Sequence, residues 1–199
     1  IEILGTIVEY RNLESGEHIQ RVKSYTRILG EQLMEDYPEY NLTSKQLNVI
    51  VSASALHDVG KIAIPDSILL KPGRLTKEEF EYMKEHTTKG CEIINNIRGV
   101  WSEEYAKASY EICRHHHERY DGRGYPDGLL GENIPISAQL VAVADVYDAL
   151  VNERVYKSAF SADKAFNMII NGECGTFSPK LMDCFTKCRD RFESLAGEQ

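Results

Sequence analysis

A chain of 199 residues is the length of a single domain, and a hydrophobic content of 42% supports a packed core and excludes wholesale disorder. Lys and Arg total 23 against 31 Asp and Glu, a formal charge of −8, which argues against a general nucleic-acid binder and against electrostatic docking on anionic membranes. No run of about 18 apolar residues is present, so no transmembrane helix is expected, and five scattered cysteines without a CxxC pair read as free thiols of a reducing compartment.

The chain opens IEILGTIVEY, already helical in pattern, with neither a basic region nor a signal-type apolar run. It reads as a piece of a longer protein. Ile19, Val22, Ile28, Leu29 and Leu33 recur at helical spacing, and Pro38 helps to end that helix. Thr43 or Ser44 can cap a helix carrying Leu47, Ile50, Ala53, Ala55 and Leu56. Thr76 and Glu79 form a capping box that opens a helix through Phe80, Met83 and His86. Ser102 can cap another, through Tyr105, Ala108 and Ile112 to His117. Residues 136–151 are almost entirely apolar and predict a central buried helix. Two more follow, near 161–171 and 179–195, the second with Ser178 as cap and Pro179 at its first position. No alternating strand pattern, repeat or low-complexity tract interrupts this series. The long non-helical stretch is 118–135, with four glycines, Pro126 and Pro135. A loop of that length in a compact domain is ordinarily functional or disordered, and Tyr125, Leu129 and Leu130 favour order. A second loop is expected at 59–74.

All six histidines lie in or beside expected helices: His18, His57, His86, His115, His116 and His117. A lone histidine on a helix is ordinarily a satisfied polar residue. Asp145 resists that reading, because an ionised carboxylate in a buried helix costs several kcal/mol unless it is paired or bound to metal. Imidazole and carboxylate donors suit Mn, Fe, Ni or Zn, and helical bundles build such sites from inward-facing side chains. With no cysteine in the set, a zinc-finger type of structural site is not expected. His115, His116 and His117 span about 200° of a regular helix, so all three cannot face one ion unless the helix ends there.

The segment His57-Asp58-Val59-Gly60-Lys61-Ile62, followed by Ile64-Pro65-Asp66, resembles the signature of HD-domain phosphohydrolases. The segment His116-His117-Glu118-Arg119-Tyr120-Asp121-Gly122-Arg123-Gly124-Tyr125-Pro126 resembles the second signature of one subgroup, the HD-GYP domain. Further matches keep that family's order. They are Glu14 to His18 with Arg21-Val22, His86 with Gly90, Asp145 to Leu150, and Arg154-Val155-Tyr156-Lys157. The resemblance covers roughly residues 5–185. Departures are Gln139, where the family commonly has Arg, and Ser178, where an acidic residue is common.

The resemblance implies an all-α, single HD-domain bundle of about seven helices over residues 1–199, with a long ordered GYP loop, excised from a multidomain signalling protein. It implies two or three divalent metals, iron or manganese first and nickel, zinc or magnesium as further options. The ligands carried over are Glu14, His18, His57, Asp58, His86, His116, His117 and Asp145, and Glu14 with His18 favours a third metal. By register His116 and His117 are ligands, while His115 lies behind them or on the surface.

The implied activity is hydrolysis of cyclic di-GMP through linear pGpG to GMP. Two alternatives stand beside it: a phosphodiesterase for another cyclic dinucleotide such as cyclic GMP-AMP, and a non-catalytic module that binds nucleotide or a partner. Asp58 and Lys61 are the expected catalytic residues. Two metals lower the pKa of a water between them, Asp58 offers each one oxygen, and Lys61 supplies a fixed cation to the phosphoryl oxygens. Lys61, Asp148, Arg154, Lys157 and Tyr125 are the expected substrate contacts, Tyr125 either stacking on a base or pinning the loop. The GYP loop is also a candidate docking surface for a diguanylate cyclase (GGDEF) domain. No nucleic-acid polymer and no membrane insertion are expected, and the expected location is cytoplasmic.

Overall fold

The computed structural model describes residues 2–11, 17–152 and 159–197. Among these the chain is helical without a strand. The first helices are α1 (Glu2–Arg11) and α2 (Glu17–Asp36), followed by a short 3₁₀ turn at Pro38–Tyr40. α2 buries a stripe of Ile19, Val22, Tyr25, Leu29 and Leu33, and the chain turns at Pro38 as its sequence requires. α3 (Ser44–Ala53) starts on the Thr43–Gln46 capping box, in which each residue's side chain accepts the other's backbone N–H. The helix then tightens into two 3₁₀ segments, Ser54–Leu56 and Val59–Ala63, and His57 and Asp58 sit between them.

After α4 (Asp66–Leu69), α5 (Lys77–Lys84) begins on the Thr76–Glu79 box. The sequence pattern runs one helix on through His86, but the chain breaks at Glu85 and α6 (His86–Ile97) starts afresh. The hydroxyls of Thr87 and Thr88 bond the carbonyls of Lys84 and Glu85 at this break, a local competition that bends helices. α7 (Glu103–His115) starts at Ser102, whose side chain accepts the Tyr105 N–H, and ends two residues short of the pattern, with His116 as its cap.

α8 (Ile136–Val151) is the buried central helix that its composition predicts. α9 (Ala162–Ile170) follows. The expected single helix at 179–195 is two, α10 (Pro179–Lys187) and α11 (Arg189–Gly197), turning at Cys188. That turn brings Phe192 into an aromatic core with Tyr25, Tyr147 and Phe185, at centroid distances of 4.8, 5.1 and 4.9 Å. Pro179 takes the first helical position as expected, whereas Ser178 makes no capping bond.

The 3₁₀ segment that follows Asp58 lies unusually close to α6. A Cβ on Gly60 would sit 1.8 Å from the His86 carbonyl oxygen and 2.5 Å from the Gly90 nitrogen. Glycine at 60 therefore sets how near the Asp58 segment comes to His86. Residues 118–135 form an ordered loop. The buried Glu118 carboxylate accepts three backbone N–H bonds, from Asp127 (2.8 Å), Gly128 (3.1 Å) and Leu129 (3.0 Å). Arg114 holds Asp127 in a two-pronged pair at 2.7 Å, and Asp121 bridges to Leu130.

Two outcomes are expected. Gly60→Ala costs about 3 kcal/mol and lowers the thermal midpoint by roughly 6–12 °C, while Gly99→Ala, where a Cβ meets nothing within 4 Å, leaves it within about 1–2 °C. Glu118→Gln turns an N–H₂ group toward at least one backbone N–H and costs about 2 kcal/mol. Hydrogen exchange would then rise across 122–131 while the helices keep their protection.

Candidate metal centre

Four imidazoles are fixed through their Nδ1 atoms. His57 Nδ1 is 2.8 Å from the Ser54 carbonyl oxygen, His86 Nδ1 is 2.7 Å from that of Met83, and His116 Nδ1 is 3.0 and 3.1 Å from those of Ile112 and Cys113. A carbonyl can only accept, so each Nδ1 carries a hydrogen, and in the neutral ring Nε2 is left to present a lone pair inward. His18 is held in the same sense by the Asp148 carboxylate at 2.7 Å. Orientation of a ring through its far nitrogen is the usual support of a metal-binding histidine.

Three of these Nε2 atoms, those of His57, His86 and His116, converge on Asp58, which is buried, while that of His18 faces Asp145. Its Oδ2 lies 3.3 Å from His57 Nε2 and 2.6 Å from Lys61 Nζ. Its Oδ1 lies 3.3 Å from His86 Nε2 and 3.8 Å from His116 Nε2. Asp145 Oδ1 stands 3.7 Å from His18 Nε2 and 3.8 Å from His57 Nε2. Two donor groups result, one on each side of Asp58. Asp58, His86, His116 and His117 offer atoms within 4.8 Å of one another, and so do Glu9, His18 and His57.

His18 Nε2, His57 Nε2 and Asp58 Oδ1 are buried without a hydrogen-bond partner, and such groups are costly unless something coordinates them. The donors are all nitrogen and oxygen at spacings a divalent ion can bridge, so the residues fit a divalent-metal centre.

The electrostatics differ across Asp58. Burial opposes charge on His57, but the carboxylates of Asp58, Asp145 and Glu9 outweigh it and lift its pKa to about 10. Burial likewise opposes charge on His18, where the Asp148 bond and Asp145 bring a net rise. On the other side burial dominates. It pushes His116 down to about 3, with His57 and His86 adding to the effect. His86 is lowered and His117 is held well below the usual range, chiefly by burial. Burial also works against the Asp58 anion, yet Lys61, His57 and His86 hold its carboxyl well below the usual range.

Of the residues expected from sequence, His18, His57, Asp58, Lys61, His86, His116, His117 and Asp145 come together here. Tyr125 joins them from the GYP loop, its ring stacked on His117 at 4.7 Å. Glu14, Arg154 and Lys157 lie outside the described residues.

Asp148 is placed otherwise than expected. It is 1% exposed, and its oxygens are taken by His18, Arg21 and Asn152. It supports His18 from behind and has no face to offer a nucleotide. His115 points away from the centre, with Nδ1 3.5 Å from Asp127. The oxygens of its neighbours Glu118 and Asp127 are already engaged by the loop amides and by Arg114, so that trio is no second metal site. Gln139 and Ser178, the two departures from the family pattern, line one small pocket together with His115. Glu9 was missed. It carries no motif, and only the packing of α1 buries it.

The HD domain family model matches residues 9–181. A Vibrio cholerae protein named cyclic di-GMP phosphodiesterase is 43% identical over 197 residues, covering 98% of this chain and 40% of its own length. A second V. cholerae protein, named 3′3′-cGAMP-specific phosphodiesterase 2, is 39% identical and is covered over 35% of its length, with 96% of this chain aligned. The chain thus spans less than half the length of these curated relatives. A solved structure described as a V. cholerae cyclic GMP-AMP-specific phosphodiesterase superposes with a TM-score of 0.64 at 18% identity, over 97% of this chain and 50% of that one, and shows the shared fold. The chain belongs to the HD domain family and, through its two signatures and these relatives, to the HD-GYP group within it.

Proposed function

We propose that this domain is a metal-dependent phosphodiesterase that hydrolyses cyclic di-GMP through linear pGpG to GMP, as one domain of a longer cytoplasmic signalling protein. The observation that carries the reading is the Asp58 carboxylate, with one oxygen turned to each of two groups of inward-facing imidazole nitrogens. The 43% identity to a protein of that name supports the substrate. No helix among the described residues is long and apolar enough to cross a membrane.

The proposed ligands are His18, His57, Asp58, His86, His116, His117 and Asp145, with Glu14 toward a third ion and iron or manganese as the metal. Divalent ions in such a set lower the pKa of a bound water and polarise phosphoryl oxygens. The chain's own residues do the rest. Carbonyls and Asp148 fix the imidazole tautomers. Lys61, 2.6 Å from Asp58, offsets the buried anion and offers a fixed cation to the phosphoryl group. The His117–Tyr125 stack makes an aromatic wall at the GYP side, suited to the face of a base. A diguanylate cyclase (GGDEF) domain is a proposed partner for the outer side of that loop, where Leu130 is 62% exposed.

A second reading has a specific observation behind it. The 39% identity to a 3′3′-cGAMP-specific phosphodiesterase makes that dinucleotide the alternative substrate. The protein loaded anaerobically with Fe(II) or Mn(II) is therefore to be assayed on both dinucleotides, with products identified by chromatography. Cyclic di-GMP is expected to turn over faster, and His57→Ala or Asp58→Ala to abolish turnover. Cleavage of 3′3′-cGAMP alone would select the second reading, and nucleotide binding without turnover under any metal would select a receptor.

Metal binding should also depend on pH in a definite direction. A ligating imidazole must be neutral, and His57, raised to about 10 in the metal-free protein, is protonated at neutral pH. Metal must displace that proton, so the apparent affinity is expected to rise between about pH 7 and pH 9, with release of about one proton at His57. Titration calorimetry in buffers of different ionisation enthalpy measures both. An affinity independent of pH would contradict the proposed role of His57.

A further inference from the structure

Helix α1 runs along the segment that carries His57 and Asp58 and touches it on both sides. Near its start, a Cβ on Gly5 would sit 2.3 Å from the carbonyl oxygen of Ala55, two residues before His57. Near its end, Glu9 is buried beside His57 and His18. Its last residue, Arg11, spreads its guanidinium over the far side. Nη1 donates to the carbonyls of Lys61 (3.0 Å) and Ile62 (2.7 Å), and Nη2 donates to the carbonyl of Ile64 (2.8 Å) and to Asp66 Oδ1 (2.7 Å).

Three of these acceptors are backbone groups at or just past the end of the 3₁₀ segment Val59–Ala63. Carbonyls at a helix end have few intrahelical partners and favour a cation. A planar fork can meet four acceptors at once, which an ammonium cannot do with the same fixed geometry. Its inner side packs through Gly60 against α6, while its outer side is open at Ile62, which is 49% exposed. It bears Lys61, whose Nζ meets Asp58.

We infer that Arg11 is a positioning residue: it clamps the 61–66 backbone and thereby sets Lys61 against Asp58. Its effect on catalysis rests on the phosphodiesterase reading, while its effect on the segment does not. Four neighbouring acceptors on one short segment, 50 to 55 positions away in sequence, serve no packing need that a leucine or lysine would not meet. Because the histidines are held by other bonds, the clamp acts on the lysine side of Asp58 and leaves the imidazole groups in place.

The test compares Arg11→Ala and Arg11→Lys with the unmodified chain. Three readouts apply: amide hydrogen exchange, metal content, and kcat with KM on cyclic di-GMP. Both variants are expected to bind the same metal equivalents and to keep the protection of 105–116. Exchange at 61–66 should rise by about 10-fold or more, and kcat should fall on the order of 10- to 100-fold with KM changed little. Added guanidinium ion should restore part of the Arg11→Ala rate, whereas methylammonium should not. Unchanged exchange at 61–66 in both variants would overturn the inference, as would full activity of Arg11→Lys. Absence of turnover in the unmodified, metal-loaded protein would instead refute the proposed substrate, and the exchange result would still decide the clamp.

Discussion

The arrangement depends on one unfavourable act, the burial of the Asp58 carboxylate. An unpaired anion in that position costs several kcal/mol, and the surrounding residues answer that cost. Lys61 is three positions on, close enough to reach Oδ2 once the chain tightens into a 3₁₀ turn. Gly60 lets that turn come against α6, which brings His86 to Oδ1. Residues 116 and 117 follow directly from the end of α7, where irregular backbone lets two consecutive histidines face the same way. The imidazoles of His18, His57, His86 and His116 are then each locked by a carbonyl or carboxylate behind them, and His117 is stacked on Tyr125. In the metal-free protein Lys61 and a protonated His57 face this anion, and a bound cation would take the place of the His57 proton.

The charge distribution around Asp58 makes the two sides chemically distinct. The His18–His57 side also holds Glu9 and Asp145, and its imidazoles are raised. The His86–His116–His117 side has no carboxylate of its own among the described residues except the shared Asp58, and its imidazoles are lowered. An ion on the first side meets more anionic donors and competes with protons. On the second side it meets neutral nitrogens that carry no proton at physiological pH. The formal charge of −8 therefore describes the surface better than the centre. It excludes a polyanion that must lie along the outside, and it is compatible with a small phosphodiester that meets Lys61 and bound cations.

The sequence made much of this legible. Capping residues located α3, α5 and α7, and apolar content located α8, because those signals act within a few residues of where they stand. The motif residues of the centre were legible for the same reason, as their spacing is fixed by short turns. What was not legible depends on contacts far apart in sequence. Asp148 sits three residues after Asp145 on one helix, and nothing local distinguishes a carboxylate that faces the centre from one that supports His18. The difference is made by Arg21 and His18, more than 120 positions earlier. Glu9 lies in an ordinary helical stretch, and it reaches the centre because Gly5 lets α1 rest on Ala55. The split at Cys188 was hidden because residues 179–195 keep helical spacing on both sides of it. The turn is set by Phe192 entering the aromatic core.

The GYP loop shows how a glycine-rich segment becomes a rigid part rather than a mobile one. Gly122, Gly128 and Gly131 take positive φ angles, which would make an isolated loop of this composition entropically expensive to order. A single buried side chain offsets much of that cost, since Glu118 accepts three successive amides and is adjacent in sequence to His117. The same loop is fixed again where Thr176 bonds Asp121 and its carbonyl accepts the Tyr120 N–H. Gly124 packs directly on the Glu118–Arg119 backbone, with no room for a Cβ. Tyr125 is therefore delivered to His117 by a frame anchored on the residue after it. A wall built in this way cannot move without disturbing an imidazole of the centre, so whatever presses on the outer side of the loop is mechanically connected, through Glu118, to His117.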